Sequence, residues 1–178
     1  NNKQELWSYA GHLGNKLFKG HYYALSSNGA AVKAWPAALL HPNDPDAVIN
    51  DTIELTMASH DDPLSISGAC AMAAPVQAAL DSNATLYDIV QAALEGSKIG
   101  EQKARQRDDV WVYPGPSVTL RLEMAIDTAV KHRNNAMEEL RDLIGSGPAI
   151  AETLPTAIGL LIAHEDKPLE AMFDDGVC

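Results

Sequence analysis

The sequence predicts an all-α fold, and three observations support that prediction. Apolar residues recur at helical spacing in nearly every segment of the 178-residue chain. Cap residues followed by proline, as in Asp44-Pro45 and Asp62-Pro63, stand where helices should begin. Residues 110–113 (VWVY) could form a short strand, but no nearby segment offers it a partner. We therefore predict one compact domain built from many helices.

The composition fits a folded domain and argues against two classes of partner. Hydrophobic residues make up 46% of the chain and charged residues 21%, which is ordinary for a globular protein. No apolar run reaches the roughly 20 residues that a membrane span needs, so we expect no membrane partner. The net charge of −11 argues against a nucleic-acid partner. It leaves room for a small phosphate-bearing molecule held by main-chain N–H groups.

Cysteine usage indicates the setting of the protein. The chain has two cysteines, Cys70 and Cys178, which are too few for a disulfide framework. Cys70 lies in an alanine-rich apolar stretch, where a free thiol serves as a small core residue. We therefore expect a reducing, cytoplasmic setting.

The first half of the chain begins with a polar turn and continues in helices. Residues 26–36 (SSNGAAVKAWP) begin as a turn and run on as a helix. The helix that begins after Asp44 should end near His60. The next helix is rich in Ser, Gly and Ala, which allow close helix contacts, so we predict that it is central. Pro75 should kink this helix or mark a junction. Thr85 is the predicted cap of the following helix.

The second half alternates loops and shorter helices. Residues 110–117 (VWVYPGPS) must contain a loop or turn, and Ser117 caps the helix after it. Another helix covers residues 138–144 and stops at Gly145, the residue type expected at a helix end. Residues 145–152 (GSGPAIAE) are predicted as a second small-residue loop. Two final helices are predicted in TLPTAIGLLIAH and KPLEAMFDDG.

Two loops and one histidine are candidates for ligand binding. Glycine and serine before a helix, at residues 26–29 and 145–147, suit an anion because unpaired N–H groups point outward there. The alternative is that both loops are plain helix caps. His60, at a predicted helix end, could contact a ligand or serve only the helix. Adjacent acids point in different directions on a helix, so the pairs do not predict a metal site: Asp61-Asp62, Asp108-Asp109, Glu138-Glu139 and Asp174-Asp175.

Three motifs in order resemble the ADP-ribosylglycohydrolase family. SSNGAAVKAWP resembles the family's S-x-N-G-x-x-M-R-x-x-P signature, and ASHDDPLSISGA resembles its T-H segment with the following alanine-rich helix. GSGPAIAETLPTAIGLL is similar to its G-x-G-x-x-x-x-E-S-x-P-x-A stretch, and DDGV falls where the family approaches its C-terminal G-G-D-T-D-T motif. The chain departs from the pattern at Val32-Lys33, where the family has Met-Arg, and at Ser59, where it has Thr. Lysine keeps the charge of arginine but lacks its planar fork.

The resemblance implies a single compact orthogonal multi-helix domain and a glycosidase. Members cleave the bond between ADP-ribose and its acceptor, using two magnesium ions held by an early T-D-D-T and a late D-x-D-T motif. Neither motif occurs in this sequence. We therefore expect residues 1–178 to be the central part of one such domain, inactive alone, with the magnesium ligands outside the chain. The catalytic residues cannot be placed in this chain.

The resemblance also implies roles for particular residues. Ser27, Asn28 and Gly29 would line the diphosphate and ribose of ADP-ribose, because their small size lets main-chain N–H groups approach the phosphate oxygens. A β-branched residue in place of Gly29 would occupy that space, and the required backbone angles could also exclude it. His60 would contact the adenosine side. The opposite wall would be formed by Gly145, Ser146 and Gly147. The implied partner is an ADP-ribose-containing small molecule or an ADP-ribosylated protein. The alternatives are a non-catalytic family member and a helical binding or scaffold protein.

Overall fold

The structure is a computed structural model that describes residues 26–110 and 115–177. These residues are mostly helical and contain no strand, so the prediction of an all-α fold is confirmed within them. The predicted strand at residues 110–113 lies mostly outside the described residues, as does Cys178. The helices are α1 (Gly29–Val32), α2 (Pro36–Leu40), α3 (Pro45–Met57), α4 (Pro63–Ala78), α5 (Leu86–Arg105), α6 (Val118–Lys131), α7 (Ala136–Leu143), α8 (Ile150–Ala163) and α9 (Leu169–Val177).

The small-residue helix α4 is central, as predicted. It packs most extensively against α5, and it also contacts α1, α3 and α8. Most of its length is buried on all sides, which explains why it shows no polar face. Cys70 lies inside this helix as a fully buried free thiol, and burial raises its pKa to about 12. The prediction that Cys70 is a core residue is confirmed.

Glycine makes the contact between α4 and α5 close. A Cβ on Gly96 would lie 2.5 Å from the Cys70 carbonyl oxygen and 2.8 Å from the Ala74 Cβ. A Cβ on Gly100 would lie 2.8 Å from the Cys70 Sγ. These distances are shorter than van der Waals contact, so the two backbones can approach only because both positions are glycine.

The predicted caps are confirmed at four helix starts. Each cap side chain accepts a hydrogen bond from a main-chain N–H in the first turn of its helix. At α5 the cap and the third helical residue bond each other reciprocally in a capping box. The four cap residues are Asp44, Asp62, Thr85 and Ser117.

Some predicted boundaries need correction. Helix α8 begins at Ile150, so the predicted loop over residues 145–152 is shorter than expected. Pro75 lies inside α4, which continues to Ala78, so it does not mark a junction between helices. Gly145 has a φ of 97° directly after α7, as expected for a glycine at a helix end.

The described helices include none that is both long and apolar enough to cross a membrane. A cavity of about 850 Å³ lies at the carboxyl-terminal end of α4, between α3, α5 and the loop at residues 79–85. Its lining includes none of the predicted site residues. The predicted residues of the first loop and His60 lie near the opposite, amino-terminal end of α4.

Candidate functional site

Two loops that are far apart in sequence meet near the start of α4. The Asn28 N–H donates to the Pro148 carbonyl at 2.9 Å, and the Ile150 N–H donates to the Ser26 carbonyl at 2.8 Å. These bonds form an isolated antiparallel bridge between Ser27 and the facing loop. The structure thus brings the two predicted ligand loops together.

Asp62 ties this bridge to α4. The residue is 1% exposed, and its Oδ1 accepts from the N–H groups of Leu64 and Ser65, both at 3.0 Å. The same oxygen accepts from the Ser26 hydroxyl at 2.8 Å. Burial raises the pKa of the Asp62 carboxyl, although these hydrogen bonds act in the opposite direction. One buried side chain therefore caps the central helix and also holds the start of the turn formed by residues 26–29, the SSNG turn.

His60 contacts the SSNG turn directly. Its Nε2 lies 2.9 Å from the Ser27 hydroxyl oxygen, and its Nδ1 lies 2.8 Å from the Ser59 hydroxyl oxygen. Lys33 donates to the Ser59 hydroxyl oxygen, and its Nζ lies 3.4 Å from His60 Nδ1. Ser27 and His60, which come from two different motifs, are therefore in contact. Lys33 and Ser59, two of the positions that depart from the family pattern, join them.

The surroundings keep His60 uncharged at neutral pH. Burial, and to a smaller extent the charge of Lys33, lowers its pKa to about 4. Burial also lowers the pKa of Lys33. A neutral imidazole donates from one ring nitrogen and accepts at the other. His60 can therefore accept a hydrogen bond on one side of the ring while it donates one on the other side.

Side chains of α6 and α8 hold the start of the second loop. The Thr156 hydroxyl donates to the Gly145 carbonyl at 2.7 Å. Arg121 donates to the carbonyl of Ile144 at 2.7 Å. Carbonyl groups at the end of α7, which lack partners within their own helix, thereby accept hydrogen bonds from side chains of neighbouring helices.

The middle of the second loop is held by α8 and touches the first loop. The Gly147 N–H donates to a carboxylate oxygen of Glu152 at 3.0 Å, and its carbonyl accepts from the Thr153 hydroxyl at 2.5 Å. The Asn28 side-chain amide lies 3.4 Å from the same Thr153 hydroxyl. Thr153 therefore links the two loops through side chains as well.

The prediction that main-chain N–H groups in the two loops are free to bind an anion is wrong in part. We expected main-chain N–H groups in both loops to be free for a phosphate. Those of Asn28 and Gly147 instead bond a carbonyl and a carboxylate of the protein, because the loops use them to hold their own shape. The side chains of Ser27 and His60 are half-buried and face each other, and their role in ligand binding stays a prediction.

The expectation of unusual backbone angles at Gly29 is also wrong. Gly29 is the first residue of α1, and among the described glycines only Gly145 has a positive φ. A Cβ on Gly29 would lie 3.4 Å from the Ser27 hydroxyl oxygen and 3.7 Å from the His60 ring. These are ordinary contact distances, so the fold has room for a methyl group on Gly29.

Ser146 faces a different part of the surface. It lines a cavity of about 240 Å³ together with residues of α8 and α9, including Thr153, Thr156 and Phe173. Neither Ser27 nor His60 lines this cavity. The second loop thus stands between the Ser27–His60 contact and the α8–α9 cavity.

Sequence reasoning missed several residues that build this site. Asp62 was identified as a cap, but its bond to Ser26 joins positions that are distant in sequence and carries no local signal. Arg121 and Thr153 lie on ordinary helical faces, so periodicity could not distinguish them from surface residues. The Lys33 contact with His60 could not be read from either motif alone.

A metal centre requires several converging ligands, and the described ranges do not supply one. Across residues 26–110 and 115–177, no group of three or more His, Cys, Asp or Glu side chains could hold an ion. These residues therefore do not fit a dinuclear magnesium site by themselves. The expectation that such ligands lie outside the chain stays a prediction.

Comparison with known proteins places the chain. It matches the family model described as ADP-ribosylglycohydrolase over residues 3–178. It is 26% identical over 145 residues to the uncharacterized protein YegU of Escherichia coli (strain K12), a match that covers 80% of this chain and 41% of YegU. The chain thus matches less than half the length of this curated relative, and no solved structure matches it significantly. The chain belongs to the ADP-ribosylglycohydrolase family.

Proposed function

We propose that this chain supplies the ADP-ribose-binding part of a hydrolase that cleaves the glycosidic bond of ADP-ribosylated substrates or related nucleoside conjugates. The contact between Ser27 and His60 carries the proposal. It joins two family motifs across 33 residues, next to the second glycine loop and to the space above Gly29. Its polar groups suit the phosphate and ribose oxygens of ADP-ribose.

The expected cytoplasmic setting rests on the cysteine usage alone.

Ser27 meets the ligand in this proposal, and His60 and Lys33 lie behind it. The Ser27 hydroxyl can donate, and the oxygens of a diphosphate are acceptors. Lys33 also supplies positive charge at the surface of a protein whose net charge is −11. The bridge between the loops holds these groups in place before the ligand arrives, which lowers the entropy cost of binding.

The magnesium ions implied by the family resemblance would supply Lewis-acid chemistry to the hydrolysis when bound. The ligands of these ions are proposed to lie outside residues 1–178, so we assign no bond-breaking step to the residues of this chain. What the chain contributes in this proposal is recognition and orientation of ADP-ribose.

Calorimetric titration with ADP-ribose tests the binding site. His60→Ala should weaken binding by roughly ten-fold, the effect of losing one good polar contact. Gly29→Val should weaken it more, because a branched side chain would fill the space above the turn. His132→Ala is the matched control, since His132 is exposed at the far end of α6. If His60→Ala and Gly29→Val both bind as tightly as the unchanged chain, the loops are only caps and the proposal fails.

A hydrolysis assay separates an enzyme from a non-catalytic binding protein. A form of the protein that carries the proposed magnesium motifs should release ADP-ribose from arginine- or serine-linked peptides only when magnesium is present. The 178-residue chain should bind ADP-ribose without releasing it from either peptide. Binding without release by the form with the magnesium motifs would favour the non-catalytic alternative.

A further inference from the structure

Four polar side chains form a continuous line from Lys33 to Ser27. Lys33 donates to the Ser59 hydroxyl oxygen, which lies 2.8 Å from His60 Nδ1. On the other side of the ring, His60 Nε2 lies 2.9 Å from the Ser27 hydroxyl oxygen. Lys33 Nζ also reaches His60 Nδ1 directly, at 3.4 Å. Both approaches therefore end on the same ring nitrogen.

The direction of this line follows from what each group can do. An ammonium group has three donors and no acceptor, whereas a hydroxyl can donate and accept at once. Lys33 therefore makes Ser59 an acceptor and leaves the Ser59 hydrogen free to donate to His60 Nδ1. Two donors then converge on Nδ1, so this nitrogen must be the unprotonated one. In a neutral imidazole the proton then sits on Nε2.

We propose that Lys33 is a positioning residue: it fixes His60 as the Nε2–H tautomer, so that Ser27 accepts from His60 and turns its own hydrogen toward a bound anionic oxygen. Among the described residues, Ser27 Oγ has no other hydrogen-bond partner that could take that hydrogen. The tautomer is a property of the unliganded chain. The last step, in which Ser27 donates to a ligand, rests on the proposed ADP-ribose site.

The opposite tautomer fits these contacts less well. An Nδ1–H would point at two groups, one of which is an ammonium that cannot accept. Ser59 would then accept from both sides and its own hydrogen would be unused. Ser27 would have to donate to His60 Nε2, which would leave its hydroxyl no hydrogen for an anion. A phosphate oxygen would meet only acceptors at this point.

Long-range ¹H–¹⁵N NMR spectra of the uniformly ¹⁵N-labelled chain at neutral pH test the tautomer directly. The His60 signals are assigned by their disappearance in His60→Gln. We expect the Nε2–H pattern in the unchanged chain. Lys33→Met should introduce the Nδ1–H form, because Ser59 is then free to accept from His60. Lys33→Arg should keep the Nε2–H form, since a guanidinium also only donates.

Lys131→Met is the matched control, because Lys131 pairs with Asp127 on an exposed face of α6. It should leave the His60 signals unchanged. An Nδ1–H pattern in the unchanged chain would overturn the proposal without any variant being needed. The proposal also fails if Lys33→Met folds and retains a pure Nε2–H pattern.

Titration with ADP-ribose separates this inference from the proposed function. Lys33→Met should bind about ten-fold more weakly, and Lys33→Arg should recover most of that loss. If the unchanged chain does not bind ADP-ribose, the proposed function fails while the tautomer result still decides the role of Lys33. If the chain binds and Lys33→Met changes neither tautomer nor affinity, Lys33 has no positioning role.

Discussion

Glycines serve opposite purposes at the two sides of the α4 helix. Against α5, a Cβ on Gly96 would lie 2.5 Å from the Cys70 carbonyl oxygen, so the protein itself fills all the space that glycine leaves. At the SSNG turn, a Cβ on Gly29 would have ordinary contacts of 3.4 Å or more. Both glycines are helical, so neither is required by its backbone angles. Packing therefore requires glycine at position 96, whereas at position 29 the fold has room for a methyl group.

The different surroundings of the two glycines bear on why glycine stands at position 29 of the SSNG turn. A glycine in a polar turn invites an argument from backbone freedom, and that argument is wrong for Gly29. The fold has room for a methyl group there. Neither packing nor backbone angles require glycine at this position, and in the proposed site the ligand passes over the turn.

Gly96→Ala should give the largest loss of stability. Overpacking a close contact costs about 1–3 kcal/mol, and more where the obstacle is backbone rather than a side chain. Alanine recovers up to about 1 kcal/mol through helix propensity, so we expect a net loss of about 2–3 kcal/mol in the free energy of unfolding. Urea unfolding measures it. A Gly96→Ala chain as stable as the unchanged one would remove the distinction between the two glycines.

Asp62→Ala should give the next largest loss of stability, and it tests the residue that ties the SSNG turn to α4. It removes two main-chain contacts and the Ser26 hydroxyl bond, so we expect a loss of about 2 kcal/mol in the free energy of unfolding. The matched control is Asp44→Ala, since Asp44 is also a cap before proline but is exposed and accepts from one N–H. It should lose about 1 kcal/mol. Asp62→Asn should lose less than Asp62→Ala, because the amide oxygen can keep the contacts of Oδ1. Equal losses for both alanine variants would mean that Asp62 is an ordinary cap.

These two residues show what could be predicted from sequence. Asp44, Asp62, Thr85 and Ser117 were recognised because a cap acts within one turn of its own helix. The all-α fold and the central position of α4 followed from periodicity and from small residues. The Asp62–Ser26 bond could not be predicted, because it depends on how α4 packs against a loop 36 residues earlier.

The candidate site shows the same limit. Ser27 and His60 were proposed from a family resemblance, and the structure places them 2.9 Å apart. Whether the main-chain N–H groups of Asn28 and Gly147 were free could not be decided from sequence. Their partners, Pro148 and Glu152, lie across the bridge or on α8, and only the folded chain brings them into range.

The pH dependence of stability should differ between the contact of α4 with α5 and the SSNG turn, because only the turn contacts a histidine whose pKa is shifted. His60 has a pKa of about 4 in the folded chain against 6.5 for an ordinary histidine. Between these values the unfolded chain binds a proton that the folded chain excludes, so His60 makes the free energy of unfolding fall as the pH drops from 6.5 to 4. Below that range both states are protonated and the contribution levels off.

His60→Gln should make that fall shallower, whereas Gly96→Ala should lower stability by a similar amount at both ends of the range. Urea unfolding near neutral pH and again just above the pKa of His60 measures both. His132→Gln, at an exposed histidine, is the control. An unchanged slope in His60→Gln would show that the pKa of His60 is not depressed by the fold.

Gly29→Ala should have the smallest effect on stability and is the sharpest test of the comparison. The added methyl meets ordinary contacts and alanine is the better helix former, so the free energy of unfolding should change by less than about 0.5 kcal/mol. The affinity for ADP-ribose should fall nevertheless, because the methyl lies against the Ser27 and His60 side chains, where the ligand is proposed to bind. Gly96→Ala should show the reverse, with stability lost and the affinity of the remaining folded chain retained. Urea unfolding and calorimetric titration are carried out on both variants. If Gly29→Ala loses stability as Gly96→Ala does, the space above the turn belongs to the fold and not to a ligand.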